Sequence, residues 1–154
     1  MVQSRRMAVV IIDSIAALVP KAEIEGEVGE SHPGLQAALI SQWLRKLSAP
    51  LERSGTALVV TNQLRTRVGV MFGNPETTCG GNALRFFASV RLDIRALEHR
   101  RIRRKIVGSQ VRVTVRKSRV GMPYSQAEFG LIFGVGFVDD LKAALVEMEA
   151  EHGS

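Results

Sequence analysis

The chain has 154 residues, 45% of them hydrophobic, a formal net charge of +6 and a pI of about 10.2. That length suffices for one domain burying most of its apolar surface; no apolar run approaches the roughly 20 residues of a membrane helix, and Met1 to Met7 leads into no signal-type stretch. A single cysteine, Cys79, and three dispersed histidines (His32, His99, His152) argue against a disulfide framework or a Cys/His metal site and fit a reducing cytoplasm.

Met7-Ala-Val-Val-Ile-Ile12 is a continuous run rich in β-branched residues. It predicts a strand buried on both faces of a parallel sheet and ended by Asp13-Ser14. Ala22 to Pro33 is acidic and glycine-rich and reads as a loop. From Gly34 to about Arg53, Leu35, Leu39, Trp43, Leu47 and Leu51 recur every four residues, with Ile40 and Leu44 beside them. That is an amphipathic helix, with Ser41, Arg45 and Glu52 off its stripe. Ser54-Gly55 closes it, and Thr56 to Thr61 predicts a second buried strand, completing one βαβ unit.

Asn62 to Asn82 carries Gly69, Gly73, Pro75, Gly80 and Gly81 without a helical period. Loops of that length in compact domains tend to be functional. A short helix is expected over Ala83 to Ala88. Val90 to Arg95 and Val111 to Arg116 alternate apolar with polar residues, the pattern of antiparallel strands with one wet face. Gln126 to Phe133 reads as a further strand and Val138 to Glu151 as a short amphipathic helix. No internal repeat or linker interrupts the chain, so one domain is the simplest count, with a core over 1–136 and a helical segment over 137–154.

The charge is uneven: Arg85 to Arg119 is dense in Arg and Lys with only Asp93 and Glu98 opposing, whereas Glu23 to Glu30 is acidic. Such a balance points to an anionic partner, whether nucleic acid, acidic lipid or acidic protein. Its spread over several predicted strands favours a nucleic-acid face.

Val9-Val-Ile-Ile-Asp13 has the form of a Walker B motif. A carboxylate at the carboxyl edge of a parallel sheet lies where ligands bind in such folds, and it can hold Mg²⁺, usually through water. Alone the pattern is weak, because apolar strands ending in Asp are common. Its company is specific. Ile11-Ile-Asp-Ser-Ile-Ala-Ala-Leu18, Pro20 to His32, Met71-Phe-Gly-Asn-Pro-Glu-Thr-Thr78, Gly80-Gly-Asn-Ala-Leu84, Ala88 to Arg95 and Gln126-Ala-Glu-Phe129 closely resemble the bacterial RecA family. The likeness runs without gaps from about Ser4 to Gly136.

The resemblance implies an α/β fold: part of a RecA-like P-loop NTPase core, its central parallel sheet extended by antiparallel strands and flanked by helices. It implies ATP and Mg²⁺ as cofactors, single-stranded DNA as partner, assembly into a homo-oligomer or filament, and a cytoplasmic role, away from membranes, in homologous pairing, strand exchange and repair. By matching positions, Asp13 would be the Mg²⁺-linked carboxylate with Ser14 beside it, and Gln63 would sense the γ-phosphate. Lys117 and Arg119 would reach a neighbouring subunit's ATP. Leu64 to Asn82 resembles the second DNA loop, with Arg65 on phosphate, Val68 between bases, and Gly69, Cys79, Gly80, Gly81 and Asn82 lining it; Arg67 is a weaker candidate. Gly26 to Pro33 resembles the first DNA loop, Ser41 and Arg45 further backbone contacts, and Arg85-Phe86 a subunit interface.

This sequence departs from the family pattern in several places. Lys117-Ser-Arg119 stands for Lys-Asn-Lys, Arg85 for a lysine, Cys79 for a threonine, Pro33 for a more flexible residue and Ala38 for a frequent arginine. The run Arg100-Arg-Ile-Arg-Arg-Lys105 replaces a more acidic, glycine-containing segment. The sequence holds no Gly-x-x-x-x-Gly-Lys-Ser/Thr, the loop that cradles phosphates in the family. The expectation is therefore a truncated or split recombinase contributing half of an ATP site, with no ATPase activity of its own. The alternative is a non-hydrolysing DNA-binding or filament-modulating relative.

Overall fold

The structure, a computed structural model, describes residues 7–27, 34–66, 69, 71, 73, 75–141 and 143–146. The chain divides into two compact units, Met1–Phe87 and Ala88–Ser154.

In the first unit, β1 (Val9–Ile12) lies parallel to β2 (Ala57–Val60) in the register Val9↔Ala57 to Ile12↔Val60. Between them run a 3-10 turn (Ile15–Ala17), α1 (Lys21–Glu25) and the 20-residue α2 (Leu35–Ser54). Ile15 and Ile40 are fully buried and Leu44 nearly so, with Leu18, Trp43, Val60, Ala83 and Leu84 packed around them. The buried centre of α2 is thus the Ile40–Leu44 row rather than Leu35 and Leu39. Side chains four apart advance around a 3.6-residue helix, so a long i, i+4 row drifts off the core. Gln36 Nε2 donates to the Leu18 carbonyl at 3.0 Å and pins the helix to the 3-10 turn.

Helix α2 ends at Gly55 with φ +66°, where Gly55 N–H donates to Glu52 O and Thr56 N–H to Leu51 O. This is the Schellman arrangement that glycine favours at a helix end. It delivers Thr56 to the start of β2, where its buried hydroxyl donates to the Met7 carbonyl at 2.8 Å. The same turn therefore ends the helix and sets the strand register.

Two expectations change here. β1 is not buried on both faces: Val9 and Ile11 are 50% and 67% exposed while Val10 and Ile12 are half-buried. Only the face toward Ile15 and α2 is covered by described residues, so an apolar run acquires an alternating burial. Part of the loop expected over Ala22 to Pro33 is helical, since α1 takes Ala22 to Glu25 and is closed by a Lys21–Glu25 ion pair at 3.2 Å. Residues 28–33 lie outside the described residues.

In the second unit, β5 (Val90–Ile102), β6 (Lys105–Ser118), β7 (Gln126–Ile132) and β8 (Gly136–Val138) form an antiparallel sheet in that order. The antiparallel strands were expected to extend the parallel sheet; they form a sheet of their own. β5 and β6 also run far past their alternating segments, because cross-strand hydrogen bonding continues where apolar alternation stops. Val138 belongs to β8 rather than to the terminal helix, whose described helical residues are Leu141 and 143–146. Leu141 is buried against Gly130, where an added Cβ would lie 2.6 Å from the Leu141 Cβ. No helix among the described residues is long and apolar enough to cross a membrane.

Candidate functional site

In the first unit the carboxyl edge of the parallel pair brings Asp13, Thr61, Asn62 and Gln63 together. Thr61 N–H donates to the Ile12 carbonyl at 3.0 Å and Ile15 N–H to the Thr61 carbonyl at 3.1 Å, so the two strand ends are laced to each other. Thr61 Oγ1 donates to Asp13 Oδ1 at 2.6 Å, which fixes the carboxylate at the edge while leaving it exposed to solvent. Ser14 follows through a cis peptide bond. Gln63 is exposed at the end of β2, and its backbone N–H donates to Asn62 Oδ1 at 2.8 Å.

The segment after Gln63 is more ordered at its base than a bare loop. β3 (Leu64–Thr66) and β4 (Glu76–Thr78) pair antiparallel, with Arg65 opposite Thr77. Arg65 is exposed, and Gly69, at φ +87°, lies between the two strands in sequence. Val68 and Arg67 lie outside the described residues.

The base of this hairpin is fastened twice on its β4 side. Asn62 Nδ2 donates to the Cys79 carbonyl at 2.9 Å, linking the sheet edge to the end of the loop. Gly80 (φ +83°) and Gly81 (φ +67°) then press against α2: a Cβ would lie 2.6 Å from Ile40 Cδ1 at the first and 2.9 Å from Ala37 Cβ at the second. Positive φ and this close approach together require glycine. Asn82 follows, its carbonyl accepting from Arg85 N–H and Phe86 N–H at the start of α3 (Ala83–Phe87). Arg85 and Phe86 are exposed on that short helix.

On α2, Ser41 is half-buried and Arg45 exposed. Arg45 borders a groove of about 430 Å³ between α1 and α2, lined also by Lys21, Leu35, Leu39 and Gln42.

In the second unit, Lys117 and Arg119 lie at the end of β6. Lys117 stands opposite Arg91, and Arg119 N–H donates to the Ser89 carbonyl at 2.9 Å. Loss of hydration holds the Lys117 ammonium below its usual range, and the positive charges of Arg119 and Arg91 add to the effect. A bulge between Arg91 and Leu92 skips Arg116 in the ladder. Arg116 reaches Asp93 at 2.6 Å, and Arg95 holds the same carboxylate at 3.0 Å. The hydrogen bond from Arg95 first, and Arg116 as well, hold Asp93 below the ordinary carboxylate range despite partial burial.

Among the described residues no cluster of three or more Asp, Glu, His or Cys side chains is placed to hold a metal. One carboxylate at a sheet edge is nonetheless a sufficient protein share for Mg²⁺, which keeps waters and takes phosphate oxygens for the rest of its shell. Asp13 fits that limited role. Asn62 was missed as a positioning residue; only its place between the predicted strand and the loop hinted at it. The close packing of Gly80 and Gly81 was missed because sequence shows a glycine but not its neighbour.

Taken together, these features define a mixed α/β chain: one unit holds a small parallel pair that ends at an acidic edge fastened to a glycine-bearing hairpin, and the other holds an antiparallel sheet. Residues 1–138 match the RecA N-terminal domain. The chain is 51% identical over 153 residues to Protein RecA of Mycolicibacterium smegmatis and to that of Kineococcus radiotolerans, covering 99% of this chain and 43% of each relative. Protein RecA of Frankia casuarinae is likewise 51% identical over 153 residues, with 44% of its length covered. The chain belongs to the RecA family and spans less than half the length of these relatives.

Proposed function

We propose that this chain acts as part of a RecA-type recombinase, binding single-stranded DNA and contributing half of an ATP site for homologous pairing and strand exchange. The observation that carries this reading is the Asn62 side chain. It holds Gln63 N–H through its oxygen and the Cys79 carbonyl through its amide nitrogen, so the acidic sheet edge and the far end of the candidate DNA loop are one hydrogen-bonded unit. Asn62 is, in this reading, the route by which a change at Gln63 would reach the loop.

In this reading Asp13 would hold Mg²⁺, Ser14 would line the nucleotide site, and Gln63 would face the γ-phosphate. Its amide suits that position because it both donates and accepts. Bound Mg²⁺ would neutralise phosphate charge. Lys117 and Arg119 supply cations to the nucleotide of an adjacent subunit, where such trans groups are worth roughly 10³-fold or more in rate. Arg65, Val68, Gly69, Cys79, Gly80, Gly81 and Asn82, with Ser41 and Arg45 on α2, meet the DNA backbone and bases, while Arg85 and Phe86 meet the next subunit. The functional core is residues 1–136, with 137–154 as a terminal segment. Because the sequence holds no phosphate-cradling loop of its own, DNA-stimulated hydrolysis by this chain alone is not expected.

Fluorescence anisotropy with an oligo(dT) probe across a salt series tests the DNA-binding claim. Binding should weaken as salt rises, with a log–log slope shallower by about 0.7 in Arg65→Ala. No binding at low salt, or an unchanged slope, would contradict it.

A further inference from the structure

The cationic run at the end of β5 is not spread over a solvated surface; the fold gathers it at one point. The last pair of the β5–β6 ladder is Ile102↔Lys105, so Arg103 and Arg104 form a two-residue turn. Both have positive φ, 46° and 70°. A two-residue hairpin turn of this kind is the setting where Asn-Gly is strongly preferred. Two arginines hold the positions instead, at a cost in local conformational energy.

Among the described residues the charges here lack local counterions. Arg101, Arg103, Arg104 and Lys105 are exposed. The three carboxylates on the four strands are engaged elsewhere: Glu98 with Arg100 at 3.1 Å, Asp93 with Arg95 and Arg116, and Glu128 with Arg112 at 2.7 Å. No ion pair neutralises the four tip cations among the described residues. The tip also projects beyond its neighbour, since the β6–β7 ladder ends at Gly108↔Ile132 with one further bond from Phe133 N–H to Val107 O. Past Val107 only β5 and β6 continue the sheet among the described residues.

From this geometry we propose that the β5–β6 tip is a phosphodiester-backbone site, built from Arg101, Arg103, Arg104 and Lys105, additional to the Arg65 loop. A two-stranded ribbon is narrow enough to enter a duplex major groove, and clustered cations gain from releasing the counterions of a nucleic acid. Ile106 is the one large apolar side chain counted as exposed between residues 101 and 106, too little to anchor the tip in a bilayer. The inference rests on the hairpin's charge and turn, not on the reading of the loop.

The test uses the full chain and the variant Arg103→Asn/Arg104→Gly, which removes two charges while supplying the residues that this turn accommodates best. Probes are oligo(dT), a mixed-sequence duplex and phosphatidylserine vesicles. The variant should melt at a higher temperature than the parent. Its log–log salt slope should be shallower, by up to about 1.8 on duplex or about 1.4 on single strands, and the probe showing the change identifies the source of the phosphates. An unchanged slope with both nucleic acids overturns the proposal, as does a loss confined to vesicle binding. Arg65→Ala, run in parallel, separates the two readings: a slope that falls only in Arg65→Ala leaves the loop standing and removes the hairpin site. A slope that falls only in the hairpin variant does the reverse.

Discussion

Gly80 offers the sharpest structural test, because the fold assigns it a packing role separable from backbone freedom. Its φ of +83° and the 2.6 Å separation between a built Cβ and Ile40 Cδ1 are independent penalties on Gly80→Ala. A non-glycine residue in the left-handed region costs about 1–2 kcal/mol, and overpacking a filled core costs roughly 1–3 kcal/mol more. Gly69→Ala is the control: its φ is +87° but nothing lies within 4 Å of the added methyl, so only the first cost applies. Urea unfolding followed by Trp43, the chain's single tryptophan and a neighbour of the core, should place Gly80→Ala below Gly69→Ala by about 1–3 kcal/mol, a midpoint difference of roughly 1 M. Ile40→Val removes the Cδ1 atom that the new methyl meets, so Gly80→Ala/Ile40→Val should recover part of the overpacking, visible as a coupling energy of about 1 kcal/mol or more. Equal midpoints for the two glycine variants, or strict additivity with Ile40→Val, would refute the claim that the loop base presses on α2.

Ile40→Ala, at a fully buried position, should cost about 2–5 kcal/mol in the same denaturation assay. Asp93 is held below its ordinary range by Arg95 and Arg116, so its folded-state pKa lies under the unfolded value. The resulting stability is present above about pH 4 and is lost as the pH falls through the folded value. Asp93→Asn should therefore be destabilised by about 1–2 kcal/mol at neutral pH, discounted for the half-exposed arginines, and its melting temperature should fall less on acidification than the parent's. Asn62→Ala should speed amide exchange at Gln63 and across β4, because both ends of its bridge are released.

Much of the first unit was legible in the sequence because its signals are local. A β-branched run, a long amphipathic stripe closed by Ser-Gly, and a second apolar run gave β1, α2 and β2 close to their observed bounds. What escaped depended on contacts distant in sequence. β3 and β4 are three residues each, too short for a period, and exist through pairing with each other. β8 is a similar three-residue strand recruited by β7, with the Phe129 and Phe137 rings edge to face at 6.3 Å. The charged tip of β5–β6 hides its strand character because arginines occupy positions on both faces.

At the candidate site, the place of Asp13 was legible because an acid just past an apolar strand falls at a sheet edge by geometry, whereas Gln63 was singled out only by the resemblance to the RecA family pattern. The division into separate sheets was not legible, since alternation reveals a strand's wet face but not which sheet receives it.

The most direct test of the central claim is hydrogen exchange on the full chain with and without a single-stranded oligonucleotide. Protection is expected over Leu64–Thr66, Glu76–Thr78 and Cys79–Asn82, centred on the hairpin that Asn62 fastens to the acidic edge. Saturating oligonucleotide that leaves those amides exchanging at their free rate would contradict the assignment of this loop as the DNA-binding element.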